Sequence, residues 1–246
     1  MLGLLSGSAA RAEGWPDAGA RLGEGSSVTL VASHRHGEIP PFATAAVDLG
    51  RLGLDGRWAI APRAELRLSY ELRHVRWPDG ERRFGSGDIE VGASAMILRG
   101  EGLRPAIWLN TETKLPNAPD HLGLGTDMAD FTAWALARWV RPRWAITVGP
   151  GLAILGDPTR LTEQDDALVA LAAGTVDLGP IRWMGAVEGR VFSARNPADL
   201  RLSAGGELGP LDDRLRLGAF GELGLTPAAP TWGAGLRIGW APQRQP

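Results

Sequence analysis

Few residues in this 246-residue chain combine types and spacings that could do chemistry. Ser33-His34-Arg35-His36 sets a hydroxyl beside two imidazoles, the raw material of a hydrolase. A nucleophile needs a base within hydrogen-bond reach and an acid that orients the base. In an extended segment, Ser33 and His34 point to opposite faces and cannot pair. His36 or His74 would have to approach from elsewhere, so exposed loop histidines are the simpler reading. His34, His36 and His121 lack the carboxylates and the spacing of a metal site. Gly123-Leu124-Gly125 is followed by no Lys-Ser/Thr and opens no predicted helix, so it is not a phosphate loop. With no cysteine there is no thiolate, disulfide framework or Cys-based metal site. No catalytic residue, cofactor or metal is expected.

A second population is larger and more regular. Glu65, Arg67, Glu71, Arg73, Asp88, Glu90, Glu112, Lys114, Glu188, Arg190, Arg201, Glu207, Arg214, Arg216, Glu222 and Arg237 occupy one phase of alternating segments. Both signs recur in successive segments, so cross-strand pairing is expected. Such a set can form a polar constriction that filters solutes by size and charge. It can equally do no more than fill and solvate a narrow interior.

The elements that position these charges are strands. Trp232 to Trp240 reads W-G-A-G-L-R-I-G-W, with Trp232, Ala234, Leu236, Ile238 and Trp240 on one face and Gly233, Gly235, Arg237 and Gly239 on the other. Period-two alternation marks a strand between two environments. Eight steps at ~3.3 Å span roughly 26 Å. A tilt of about 40° leaves ~20 Å along a barrel axis, close to the apolar band of a membrane barrel. In Ala64 to Val75, Leu66, Leu68, Tyr70 and Leu72 oppose Glu65, Arg67, Glu71 and Arg73; a helix would scatter these charges around its circumference.

About twelve such strands are predicted. The first is Ser26 to His34. The second is about Phe42 to Leu54, with a turn at Asp55-Gly56. The third is Ala64 to Val75, and residues 76–87 form a polar loop. Later strands cover Asp88 to Leu98, Pro105 to Leu115, Met128 to Val140, Trp144 to Leu155, Ala167 to Leu178, Ile181 to Phe192, Leu200 to Leu208 and Arg214 to Leu225. Trp232 to Trp240 completes the set. Long polar connections alternate with short ones, as in outer-membrane barrels with an even strand number. A soluble β-protein would bury its apolar face between sheets or in a narrow barrel. Here charges and glycines fill one face, which suits a wet lumen, while Leu, Val, Ala and Trp suit lipid. The expected fold is all-β, an up-and-down antiparallel transmembrane barrel.

Composition agrees. The chain is 44% hydrophobic and 22% charged, which excludes disorder. Its net charge of -2 lacks the basic excess of a nucleic-acid-binding domain. Ten Trp against one Tyr suits a membrane interface, and Trp58, Trp139, Trp144 and Trp183 lie beside predicted turns. No run of 18 apolar residues occurs, so helical spans are not expected. Residues 1–12 end in Ala10-Arg11-Ala12 after the apolar Leu2 to Leu5. They are expected to be a truncated signal peptide cleaved before Glu13, with 13–246 as one barrel domain.

Three segments carry a family resemblance: Gly85-Ser86-Gly87-Asp88-Ile89-Glu90-Val91-Gly92, Glu112-Thr113-Lys114-Leu115-Pro116 and Leu122-Gly123-Leu124-Gly125-Thr126-Asp127. Together they resemble the outer-membrane barrel family of meta-pathway phenol degradation proteins, often described as transporter-like. In that family a G-x-G-D segment opens a strand, and K-L-P ends the next before a loop of G-T-G-x-x-D character. The last motif is compressed in this chain, and the sequence continues past the aromatic Trp240. The resemblance implies an outer-membrane location and passage of small hydrophobic or aromatic compounds, and brings no catalytic residues. Implied partners are membrane lipid, a small solute and the barrel-assembly machinery. The alternatives are a lipid-modifying barrel enzyme and a plugged structural or interaction barrel, the latter favoured if loops 76–87 and 116–127 fold inward. Physically, Gly85, Gly87, Gly123 and Gly125 are expected to supply positive φ in loops. Asp88 and Asp127 are expected to cap loop N–H groups in preference to binding a cation.

Overall fold

The computed structural model describes residues 22–39, 45–119, 122, 124–125, 128–156, 164–193, 198–211 and 214–241. The proposed signal segment, His121, Gly123 and Asp127 lie outside these residues.

Thirteen strands follow in order: β1 (Ser27–Glu38), β2 (Val47–Ala61), β3 (Ala64–Arg76), β4 (Arg82–Ser86), β5 (Ile89–Leu98), β6 (Ala106–Leu115), β7 (Asp130–Arg141), β8 (Trp144–Gly156), β9 (Gln164–Leu178), β10 (Ile181–Ser193), β11 (Asp199–Leu211), β12 (Leu215–Gly224) and β13 (Trp232–Trp240). Each pairs antiparallel with the strands beside it, β4 with β3 alone, and β13 returns to pair with β1, with Val28 opposite Trp240 and His36 opposite Trp232. β3 pairs with β4 along Leu72–Arg76 and with β5 along Ala64–Ser69. β4 and β5 are therefore two halves of one stave, broken at Gly87-Asp88. The result is a closed antiparallel barrel of twelve staves.

Alternation sets the two faces. On β13, Trp232, Leu236, Ile238 and Trp240 are exposed, whereas Arg237 is 3% exposed. On β3, Leu66, Leu68 and Tyr70 point outward while Glu65, Ser69, Glu71 and Arg73 are buried within. Exposed Leu, Val and Ile recur on every side of the barrel, from Leu30 and Leu54 to Leu152, Val187 and Leu223. That continuous apolar belt is built for hydrocarbon, since soluble proteins rarely show patches beyond a few hundred Å².

Trp58, Trp144, Trp183 and Trp240 stand exposed at the end where the connections are short. The Trp139 indole N–H there donates to the Leu103 carbonyl at 3.0 Å. These rings form an aromatic girdle at the short-turn rim, the periplasmic end of outer-membrane barrels. Trp108 and Trp134 do not join it: both lie inside, 2% and 6% exposed.

Several boundaries differ from the sequence expectation; β1 runs on to Glu38, past the expected end at His34, and so puts His36 in the wall where a loop was expected. β2 runs straight through Asp55-Gly56 and turns at 62–63. The Asp55 carboxylate faces inward and pairs with Arg67 at 3.3 Å, while the Trp58 ring lies over Gly56, where a Cβ would come within 2.2 Å of it. Segment 76–87 is largely a hairpin, because β4 extends the wall by pairing with the upper end of β3. Its Phe84 is exposed and outward. Most of this segment therefore belongs to the wall, while Trp77 packs against Val47, Leu49 and Val75.

Candidate functional site: the barrel lumen

The interior has two different walls. Strands β7 to β9 turn Trp134, Leu136, Ala145, Ala153, Leu155, Ala167, Val169, Leu171 and Ala173 inward, all buried. With Trp108 from β6 and Ala186 from β10 they make an apolar lining. An interior polar throughout does not hold on this side. Both faces of β9 are apolar, so alternation alone cannot say which one meets lipid.

The facing wall is ionic, and with the charges at the ends of β7 and β9, Asp130, Arg138 and Asp177, it forms two groups. Towards the long-loop end, Arg35 pairs with Glu222 at 2.9 Å and with Glu38 at 3.6 Å. Arg201 reaches Asp199 at 2.8 Å and Glu38 at 3.7 Å. Glu71 receives Arg51 at 3.7 Å and is hydrogen-bonded by Arg73. Isolated charges this deep would be costly, and the interleaving of signs offsets that cost. Lys114 bridges Asp130 at 2.7 Å and Asp88 at 3.9 Å. Arg67 lies between Asp55 and Glu112, 3.3 Å from each.

Towards the short-turn end, Arg237 approaches Glu207 at 3.5 Å and donates to the Thr29 hydroxyl at 3.2 Å. Arg216 also reaches Glu207 at 3.5 Å. Arg182 pairs with Asp177 at 2.6 Å. Into this group comes the segment before β1. Leu22 is buried in the apolar cluster, the Gly23 N–H donates to Glu65 at 2.9 Å, and Glu24 faces Arg138, Arg182 and Arg216.

At the other end the β6–β7 connection folds inward. Leu124, 1% exposed, packs with Val47, Leu49, Val75 and Ala118. Its carbonyl accepts a hydrogen bond from Arg73. Asp88 accepts the N–H groups of Asn117 and Ala118 at 3.2 and 3.0 Å, capping the start of that connection. Gly85, Gly87 and Gly125 do not have the positive φ expected of them. Close packing accounts for them: a Cβ at Gly85 would meet Leu124 at 2.6 Å, one at Gly87 would meet Glu71 and Arg73, and one at Gly125 would meet Ala118 at 2.4 Å. A cavity of about 40 Å³ lies where Ala153, Leu155 and Val169 face Glu188, Arg190, Asp199 and Arg201.

Thus Glu65, Arg67, Glu71, Arg73, Glu112, Lys114, Glu188, Arg190, Arg201, Glu207, Arg216, Glu222 and Arg237 all lie on inner-face positions, as do Asp88 and Glu90. Arg214 does not: it is exposed in the turn before β12. Sequence reasoning missed Arg35, Glu38, Arg51, Asp130, Arg138, Arg182 and Asp199. Two were within reach of the alternation, since Arg182 shares the phase of Glu188 and Arg190, and Asp199 that of Arg201. Glu24 precedes the first strand and carried no such signal.

The enzymatic candidates are not brought together. Ser33 points inward, whereas His34 and His36 lie on the outer face against Trp232, with ring centroids 5.7 and 5.9 Å away. His36 Nδ1 lies 2.6 Å from Asp48. Among the described residues no group of three or more His, Asp or Glu side chains could hold a metal ion.

No protein-family model matches the chain, and no curated protein does. Solved structures do. The COG4313 outer membrane channel from Pseudomonas putida F1 superposes with a TM-score of 0.64 at 13% identity, over 93% of this chain and 99% of that one. The translocator domain of the autotransporter NalP from Neisseria meningitidis gives 0.53 at 10% identity, covering 88% of each chain. The NanC porin gives 0.53 at 9% identity, over 86% of this chain and 97% of that one. At these identities the likeness is one of fold, the closed barrel of outer-membrane proteins.

Proposed function

We propose that the chain is a bacterial outer-membrane channel for small organic solutes with both an apolar and a charged part. The observation that carries this reading is the divided lumen, with the β7–β9 apolar lining opposite a wall of paired Arg and Glu side chains. A purely aqueous pore has no use for buried Trp108 and Trp134, and a purely hydrophobic conduit has none for the ion pairs. The outer belt and the girdle support membrane residence, with insertion by the barrel-assembly machinery. The resemblance of the G-x-G-D, K-L-P and loop segments to phenol degradation barrel proteins agrees with an aromatic solute. Leu124 at one end and the Leu22–Glu24 segment at the other reach into the lumen, which suits a channel that is narrow at rest.

Planar-bilayer conductance and liposome swelling test the proposal. The parent barrel should conduct rarely, and Leu124→Ala should open it more often. A folded barrel that passes neither ion nor solute in the parent or in Leu124→Ala favours the second reading, a plugged structural barrel. That reading draws support from the inward fold of the β6–β7 connection.

A further inference from the structure

We infer that Arg138, Arg182 and Arg216 form a carboxylate site occupied by the chain's own Glu24, and that its ligand is a small monocarboxylate with an apolar, ring-sized body. The inference rests on the channel reading and names the solute class.

The three guanidinium groups come from β7, β10 and β12 and converge on one carboxylate. Glu24 lies 3.8 Å from Arg138, 3.0 Å from Arg182 and 3.9 Å from Arg216. Arg182 donates to both carboxylate oxygens from one nitrogen, at 3.1 and 3.0 Å. Arg182 also has Asp177, and Arg216 shares Glu207 with Arg237. Arg138 donates to a neutral group, the Thr147 hydroxyl, at 3.0 Å. Glu65 and Arg57 also act on Arg138, and removal of Glu24 takes one negative charge from beside three guanidinium groups.

The rest of the segment defines the other half of the ligand. Leu22 is buried in the cluster that contains Trp108, Trp134 and Leu136. Gly23 has φ +76°, and a Cβ there would lie 3.1 Å from the Trp108 ring, so the backbone passes close beside the indole. Leu22-Gly23-Glu24 thus presents an apolar group in the lining and a carboxylate on the arginines. A free molecule with a ring and a carboxylate satisfies both subsites at once. Glu24, Arg182 and Arg216 each keep about a quarter of their side-chain exposure, so the site is open to exchange with water.

The test uses the full chain folded in detergent, with benzoate, acetate and benzyl alcohol as calorimetric probes. The double variant Leu22→Ala/Glu24→Ala, which vacates both subsites, should bind benzoate at least tenfold more tightly than the parent, with acetate and benzyl alcohol at least tenfold weaker than benzoate. Adding Arg182→Gln should abolish the gain. Leu22→Ala/Glu24→Gln should reproduce the direction if the double Ala variant fails to fold. Equal benzoate affinity in parent and double variants, acetate binding as tight as benzoate, or a gain that survives Arg182→Gln each overturns the site. Calorimetry needs no conduction, so a site that binds in a barrel that never conducts sinks the channel reading alone. A conducting barrel that fails to bind sinks the site alone.

Discussion

Arg35 and Glu222 meet at 2.9 Å across the width of β13, over Gly233, the residue between them in register. A Cβ at Gly233 would stand 3.2 Å from the Arg35 side chain and 3.5 Å from that of Glu222. The absent side chain is what lets the pair close. Arg35→Ala removes the 2.9 Å partner of Glu222 and leaves Glu38 with Arg201, and should cost about 3–5 kcal/mol, the range for breaking a buried pair. Urea unfolding in lipid vesicles measures it. Gly233→Val should lower stability in the same direction, and a double-mutant cycle of Arg35→Ala with Glu222→Gln should show strong coupling. Additive losses would mean that the pair contributes nothing specific.

Leu236 and Arg237 are neighbours in opposite media. Leu236 is 64% exposed at the centre of β13, and Leu236→Arg should cost about 2–4 kcal/mol, as for Arg at the midplane of a membrane barrel. Alternation alone makes Arg237→Leu look mild. The structure revises this, because Arg237 is buried against Glu207 and Thr29. With Arg216 still beside Glu207, the loss should be about 1–3 kcal/mol. Spin labels at Leu66, Leu68 and Leu236 should relax with lipid-soluble oxygen, and labels at Arg67 or Glu112 with water-soluble agents. A barrel that stays folded and monomeric in plain buffer, with the Leu positions shielded from both, would falsify membrane residence.

Lys114 is the chain's only lysine and sits 4% exposed between Asp130 and Asp88. An amine-reactive reagent should leave it unmodified in the folded barrel and modify it fully in denaturant, as read by peptide mass spectrometry. Rapid labelling of the folded protein would show that this part of the lumen is open.

The Leu124 lid rests on a close approach. Gly125→Val places a side chain where Ala118 and the Asp88 carboxylate already stand. The lid should lift without unfolding the wall, since loops open locally at far lower cost than a whole domain. Proteolysis near 118–125 should accelerate, and single-channel openings should lengthen, while the urea midpoint changes little. Unchanged gating would place the barrier at the Glu24 end.

How much of this was legible depends on contrast. Trp232–Trp240 is a strand with the bounds that its alternation gives, and the charges of β3 face inward because Leu and Glu or Arg differ so strongly. On β9, Leu168 and Val176 face out while Val169 and Leu171 face in, and no pattern separates the two pairs. Asp55-Gly56 has the composition of a turn, yet an inward partner for Asp55 keeps the strand going. The lid and the Glu24 segment lay beyond reach for another reason. They are held by residues distant in sequence, and irregular backbone carries no periodicity to read.

The ion pairs also constrain how the barrel is made. Arg35 waits for a partner 187 residues downstream, and Thr29 accepts from Arg237, 208 residues on. Most inward charges of β1 to β3 already find partners among themselves, as Arg51 and Arg73 do with Glu71 and Arg67 does with Asp55, and charges left alone are costly in hydrocarbon. Arg35 has Glu38 beside it but gains its 2.9 Å partner only with β12. The strands that close the seam with β1 therefore add ion pairing as well as edge pairing to the first strand.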